Sequence, residues 1–343
     1  MFGVPISQYG DTSVFNFKED LPIPRINSSQ ILIEVKAVSV NPIDLMKREG
    51  IGRTIFERQR KELFPWILGC DVSGKVVEVG SKISSFTIGD EVWGCTNTGR
   101  GTYAQYAILN QDELAQKPSK LTFEESASMP YVALTTWVSF IRWASLRPQD
   151  LDQKKVLIHA GAGGVGSFAI QLLKNWGAEV ATTCSKKNKE LVRDLGADTI
   201  IDYNQEDFSE ILSNYDVVLD TLGYIKGEDL IKKSMSILKV SSSSHYITLV
   251  HPFLKILDEK GLIRGIPQAL ALRHKEKRDN KPINVHWSLY RPNLSALEEL
   301  GRIVESGQIK PVIDSVFSLK DLGKAHEKVA SSHSSGKVVI KVS

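Results

Sequence analysis

The chain of 343 residues suits two domains at roughly 100 to 200 residues each, and its 42% hydrophobic and 24% charged content is expected of a soluble globular protein, not of a disordered or membrane chain. A formal net charge of +3 is too small to argue for nucleic acid or for an anionic membrane surface, and no apolar run reaches the ~18 residues of a membrane span. The cysteines Cys70, Cys95 and Cys184 show no CxxC spacing, which argues against a disulfide framework and a zinc knuckle.

Met1 to Gly10 has neither the basic and apolar regions of a secretory signal nor the Arg-rich pattern of a transit peptide, so a cytoplasmic protein is expected. The first third then alternates short β-rich runs with turns: Ile31 to Val38, Asp71 to Val79, Asp90 to Gly94 and Tyr103 to Leu109, punctuated by Gly80, Gly89 and Gly101. This predicts a small antiparallel β domain. From Tyr131 a helical stretch leads into a strand (Lys155 to His159), a glycine turn, a helix (Gly166 to Trp176) and a second strand (Glu179 to Thr183). A helix near Asn188 to Leu195 and strands at Thr199 to Asp202 and Tyr215 to Asp220 continue the alternation, which implies βαβ units and a parallel sheet. Ser236 to Val240 and His245 to Val250 can complete that sheet. The charged stretch Arg273 to Lys281 reads as a solvated loop, since it lacks the interleaved aromatics of a nucleic-acid site. Leu294 to Ser306 is a helix, followed by Pro311 to Phe317, a helix near Leu322 to Ala330 and a closing strand, Lys337 to Val342.

Gly161, Gly163 and Gly166 form G-x-G-x-x-G between an apolar strand and an amphipathic helix, with Gly164 in the same turn. Missing Cβ atoms let the backbone approach a pyrophosphate, and free N–H groups at the helix start hold its charge. NAD-binding proteins place a carboxylate at the end of the second strand, where it accepts the ribose hydroxyls. Here Thr183, Cys184 and Ser185 stand there, followed by Lys186, Lys187 and Lys189. Ser185 can donate a hydrogen bond and Lys189 a charge to a 2′-phosphate, which favours NADPH.

The chain resembles the medium-chain dehydrogenase/reductase superfamily, in its zinc-free quinone oxidoreductase-like branch. The likeness runs through ISQYG (Ile6 to Gly10), VNPID (Val40 to Asp44), LGCDVSGKVVEV (Leu68 to Val79), GDEVW (Gly89 to Trp93), ASMPYVALT (Ala127 to Thr135), AGAGGVG (Ala160 to Gly166), LGADTIIDY (Leu195 to Tyr203), VVLDTLG (Val217 to Gly223) and GKVVI (Gly336 to Ile340). YITLVHPFL (Tyr246 to Leu254) narrows it to reticulon-interacting mitochondrial oxidoreductases and their bacterial relatives. The resemblance implies an α/β fold: a Rossmann dinucleotide-binding domain (132–287) inserted into a GroES-like, mostly β domain (1–131 and 288–343), with a cleft between them. It implies that Asn41 and Thr135 contact the nicotinamide end, that Ala162, Gly163, Gly164 and Val165 line the pyrophosphate turn, and that Ser185, Lys189 and Tyr203 surround the 2′-phosphate. Thr221, Leu222, Leu249 and Val250 are expected near the nicotinamide ribose; for Leu249 and Val250 the plainer reading is ordinary core.

Zinc-dependent relatives need Cys or His ligands at three places, and this chain has none suitable at Asn41 to Asp44, at Gly69 to Asp71 (apart from Cys70) or at Met129 to Ala133. Cys70 reads as a small buried cysteine. Without a Lewis acid, hydride transfer from NADPH to an activated acceptor, a quinone or a conjugated enal or enone, is the accessible chemistry. Tyr131, Asp44 and Tyr103 are candidate proton donors; Asp44 can equally cap the helix after Asn41, Tyr131 can pack beneath the domain junction, and Tyr103 can lie within a strand. A non-enzymatic NADPH-binding structural or regulatory protein is the alternative from another class. The partner expected is a small apolar acceptor, with no nucleic acid and no membrane insertion, and a homodimer through edge strands near Pro282 to Tyr290.

Overall fold

The structure is a computed structural model that describes residues 1–60, 62–96, 99–223 and 230–343. The chain divides into two compact units, Met1–Leu134 with Arg291–Ser343, and Thr135–Tyr290.

The first unit is built on a seven-stranded sheet. Its order is Ile313–Ser318, Lys337–Lys341, Gln30–Val40, Asp71–Val79, Glu91–Cys95, Leu114–Gln116, with Tyr106–Asn110 also paired to Gln30–Val40. The pairing is antiparallel apart from Ile313–Ser318 beside Lys337–Lys341. Alternating apolar residues such as Ile31, Ile33 and Val35 point into one core with Val72, Val92, Leu109 and Ile340. The residues that close this sheet thus come from both parts of the sequence. Tyr103 precedes the strand Tyr106–Asn110 and is fully buried.

The second unit is a six-stranded parallel sheet, in the order Thr199–Asp202, Glu179–Cys184, Lys155–Ile158, Val217–Asp220, His245–Thr248, Asn284–Trp287. Numbered by sequence this is 3-2-1-4-5-6, the Rossmann arrangement, in which ligands bind outside the carboxyl ends of the strands where the order reverses. The strands are short and buried on both faces, as parallel strands covered by helices are.

Two sequence expectations fail here. Ser236 to Val240 is not a strand: a helix, Leu230–Ser236, occupies its start, and Leu238 makes an isolated bridge with Tyr215. Arg273 to Lys281 is not a loop. It forms most of the end of a long helix, Phe253–Asp279, kinked at Gly261 (φ 67°) and carrying Pro267. The helix is held because Ile256 and Ala269 pack with Trp287, Arg273 lies over the Trp143 ring and Glu276 accepts a 2.7 Å hydrogen bond from Trp287 Nε1. These tertiary contacts outweigh the unfavourable glycine and proline propensities.

Candidate active site

In the second unit the expected cofactor residues, apart from Thr135 in the helix Pro130–Trp137, lie in the segments that follow the carboxyl ends of the parallel strands. Lys155–Ile158 runs into Ala160 (φ 52°) and then the helix Gly164–Asn175. The glycines divide the work. A Cβ on Gly161 would lie 2.1 Å from Thr182 Oγ1, and one on Gly166 would lie 2.3 Å from the Ala160 carbonyl, so both are required for the helix to sit against the sheet. A Cβ on Gly163 would meet one atom, Ala160 O at 3.3 Å, and otherwise fill open space. That bare backbone stands at the start of a twelve-residue helix whose first-turn N–H groups have no carbonyl one turn back. Ala162 and Val165 frame the same turn.

Ser185 follows the second strand and Tyr203 the third, where Asp202 pairs beside Cys184. Tyr203 is 60% exposed, with its N–H bonded to Cys184 O. Lys189 approaches Glu206 Oε2 at 3.6 Å, a partner that sequence reasoning missed. Glu206 also accepts the Asp202 N–H at 2.8 Å, so its position is fixed by the backbone. Thr221 donates its hydroxyl to the His159 carbonyl at 2.8 Å, and Leu222 follows, partly exposed. Leu249 is half-buried and Val250 is 50% exposed, so neither is ordinary core. Thr135 Oγ1 is buried and has no hydrogen-bond partner among the described residues. A buried hydroxyl in that state costs free energy unless a ligand or water pairs with it.

Sequence reasoning also missed Asp220, which is fully buried at the end of the fourth strand. It accepts the N–H groups of Leu222 and Gly223, each at 2.9 Å, and the Tyr246 hydroxyl at 2.7 Å. The loop carrying Thr221 and Leu222 is therefore pinned by a carboxylate. His159, on the neighbouring strand end, is pushed down to about 4 by burial and bonds Ser234 Oγ at 2.9 Å.

In the first unit a second buried carboxylate, Asp71, joins three sequence-distant segments. Asp71 Oδ2 accepts Asn41 Nδ2 at 2.8 Å, Ser39 Oγ at 2.5 Å and Lys337 Nζ at 3.3 Å, while Oδ1 accepts the Tyr131 N–H at 2.7 Å. Lys337 also donates to Asn41 Oδ1. The Asn41 amide is thus engaged within its own unit, and Asn41 is fully buried. Asp44 does cap its helix, accepting the Asn41 N–H at 2.9 Å. Its other oxygen accepts Cys70 Sγ at 3.2 Å, and Lys47 Nζ lies 3.3 Å from the same sulfur. Burial raises the Asp44 carboxyl. Burial alone would lower Lys47, but its neighbours Cys70 and Asp44 hold it up. Burial, with Asp44 and Cys70 beside it, keeps the Tyr103 phenol well above its usual range; Tyr131 is raised in the same way by burial and Cys70. The Lys47 ammonium occupies the space beside the sulfur, and no three His, Cys, Asp or Glu side chains group as a metal site among the described residues.

The sequence matches the alcohol dehydrogenase GroES-like domain over residues 27–119 and the zinc-binding dehydrogenase family over residues 195–340. It is 36% identical over 352 residues to the zebrafish (Danio rerio) protein named NAD(P)H oxidoreductase RTN4IP1, mitochondrial, covering 98% of this chain and 90% of that one. It is 30% identical over 345 residues to the Arabidopsis thaliana NADPH-dependent alkenal/one oxidoreductase, chloroplastic, covering 97% and 78%. Among solved structures, the quinone oxidoreductase from Coxiella burnetii superposes with a TM-score of 0.81 at 32% identity, covering 100% and 99%. This chain belongs to the medium-chain dehydrogenase/reductase superfamily, alongside the reticulon-4-interacting oxidoreductases.

The superfamily's two-part organisation, GroES-like and Rossmann, is the one described above. The expectation of a cytoplasmic protein is overturned: the zebrafish, mouse and human relatives, at 35–36% identity, are all named mitochondrial. A targeting address is read by receptors and is separable from the fold, so the architecture of the folded chain does not report it.

Proposed function

We propose that this protein is an NADPH-dependent oxidoreductase that transfers hydride, without zinc, to a quinone or a conjugated enal or enone. The observation that carries the reading is the glycine turn. Gly161 and Gly166 are consumed by packing, whereas Gly163 is bare at a helix start, a cradle that fits a pyrophosphate. The cofactor set follows as Ala162, Gly163, Gly164 and Val165 at the pyrophosphate, Ser185, Lys189 and Tyr203 at the 2′-phosphate, and Thr221, Leu222, Leu249 and Val250 toward the nicotinamide ribose. The unpaired Thr135 hydroxyl supplies a contact at the nicotinamide end. Asn41, in the first unit, is the other residue that the family resemblance assigns to the nicotinamide, and it has one Nδ2 hydrogen beyond that given to Asp71.

When bound, NADPH supplies the hydride. The residues of this chain hold it in place and exclude water. Asp44 and Tyr103 are buried and tied to their own neighbours, which favours solvent as the source of the product's proton. A mitochondrial location, a homodimer paired through the outer strand Asn284–Trp287 and the acceptor classes named for the Arabidopsis and Coxiella proteins are part of this reading.

The test is NADPH oxidation, followed at the nicotinamide absorbance band, against quinones, enals and enones, with NADH and a metal chelator as controls. Chelator-insensitive turnover that prefers NADPH is the expected result. Tight NADPH binding with no turnover on any acceptor transfers the assignment to a non-enzymatic NADPH-binding protein, a reading favoured by the full burial of the candidate proton donors Asp44 and Tyr103.

A further inference from the structure

Residues 262–281 concentrate both exposed apolar surface and positive charge. From Leu262 to Leu272 the polar side chains are Arg264 and Gln268, and a helix this apolar around its circumference belongs in apolar surroundings. The protein buries Gly265 and Ala269. It leaves Ile263 91% exposed, Ile266 41% and Leu270 45%. At spacing i, i+3 and i+7 these three share one outward face. The next turns carry exposed Lys275, Lys277 and Arg278. Six basic and two acidic side chains between 262 and 281 give a surplus of four positive charges, more than the +3 of the entire chain. Glu276 turns to Trp287 Nε1 and Asp279 pairs with Arg278, so neither acid is engaged with Lys275 or Lys277.

We propose that this helix is an interfacial docking arm for an anionic lipid surface. Ile263, Ile266 and Leu270 enter the acyl boundary, and Arg264, Lys275, Lys277 and Arg278 meet the headgroups. No helix among the described residues is long and apolar enough to cross a membrane, so the arm lies in the interface plane. A second copy of this chain is a poorer occupant, because a two-fold contact through this face sets its positive surplus against its own image. The small net charge of the whole chain conceals the site, since the remainder is slightly acidic. The proposal does not depend on the redox reading.

The experiment is cosedimentation of the full chain with phosphatidylcholine vesicles containing phosphatidylglycerol, against phosphatidylcholine alone, across a salt series. Binding to the anionic vesicles that salt releases is expected. The Ile263→Asp/Leu270→Asp and Lys275→Gln/Lys277→Gln/Arg278→Gln variants should each weaken it about tenfold or more, with thermal stability and NADPH affinity unchanged. Binding no better than to neutral vesicles, or equal binding by either variant, overturns the proposal. A concentration-dependent dimer dispersed by Ile263→Asp/Leu270→Asp, without vesicle binding, overturns it in favour of a second copy.

Discussion

Lys189 extends its ammonium to within 3.6 Å of Glu206 Oε2, so the cation expected to meet a 2′-phosphate is shared with a carboxylate. An incoming phosphate must compete with Glu206 for it, and both side chains are partly exposed, where such a pair is worth little. Glu206→Gln keeps an oxygen for the Asp202 N–H and frees the charge. NADPH affinity should rise severalfold with NADH affinity unchanged, while Lys189→Ala should lower NADPH affinity about tenfold. Titration of both nucleotides into each variant checks this.

The glycines of the turn should separate stability from binding. Gly166→Ala places its Cβ 2.3 Å from the Ala160 carbonyl and should destabilise the fold by about 2 kcal/mol or more. Gly163→Ala meets one atom at 3.3 Å, so the melting temperature should hardly move while NADPH binding falls. Equal loss of stability in both variants would reject this division.

Stability should decline on acidification because of buried histidines. Burial depresses His159 and His286 to about 4 and His326 to about 3. An unfolded histidine takes up its proton near pH 6.5, whereas these stay neutral in the fold, so the unfolded state binds more protons below that point. The stabilisation is complete above pH 6.5 and is lost as the pH falls toward 4, at about 1.4 kcal/mol per pH unit for each such histidine. Denaturation midpoints between pH 7.5 and 5 test it, and His326→Gln should flatten the slope.

Lys337→Met should cost about 3 to 5 kcal/mol, because it leaves the fully buried Asp71 carboxylate without its cation. Lys337→Met/Asp71→Asn removes both charges and should recover much of that loss in urea unfolding. A double variant as unstable as the single one would show that the ion pair is not the source.

The Rossmann half was legible in the sequence because each of its signals is local. The glycine turn spans Gly161 to Gly166, and the strand ends bearing Ser185 and Thr221 follow apolar runs of the right length. The helix Phe253–Asp279 was not legible, since Gly261, Gly265 and Pro267 erase its pattern and its support comes from Trp287 and Trp143. The Asp71 cluster was hidden for another reason. Its bonds to Asn41, Tyr131 and Lys337 cross 30, 60 and 266 residues, and no periodicity records such a meeting. Lys189 has a local signal, a lysine following the second strand, but its competitor Glu206 lies beyond the next strand and carries no motif.

The strand Lys337–Lys341 lies inside the seven-stranded sheet, between Ile313–Ser318 and Gln30–Val40. During synthesis, Val38 and Val40 therefore leave the ribosome some three hundred residues before their ladder partners Ile340 and Val338 exist. The Rossmann unit, contiguous from Thr135 to Tyr290, can close on the nascent chain, whereas the β unit waits with an open strand edge until translation is nearly finished. That interval is when holdase chaperones have their substrate, and ribosome-stalled chains ending before Lys337 should be captured by them through the Ala37–Val40 edge.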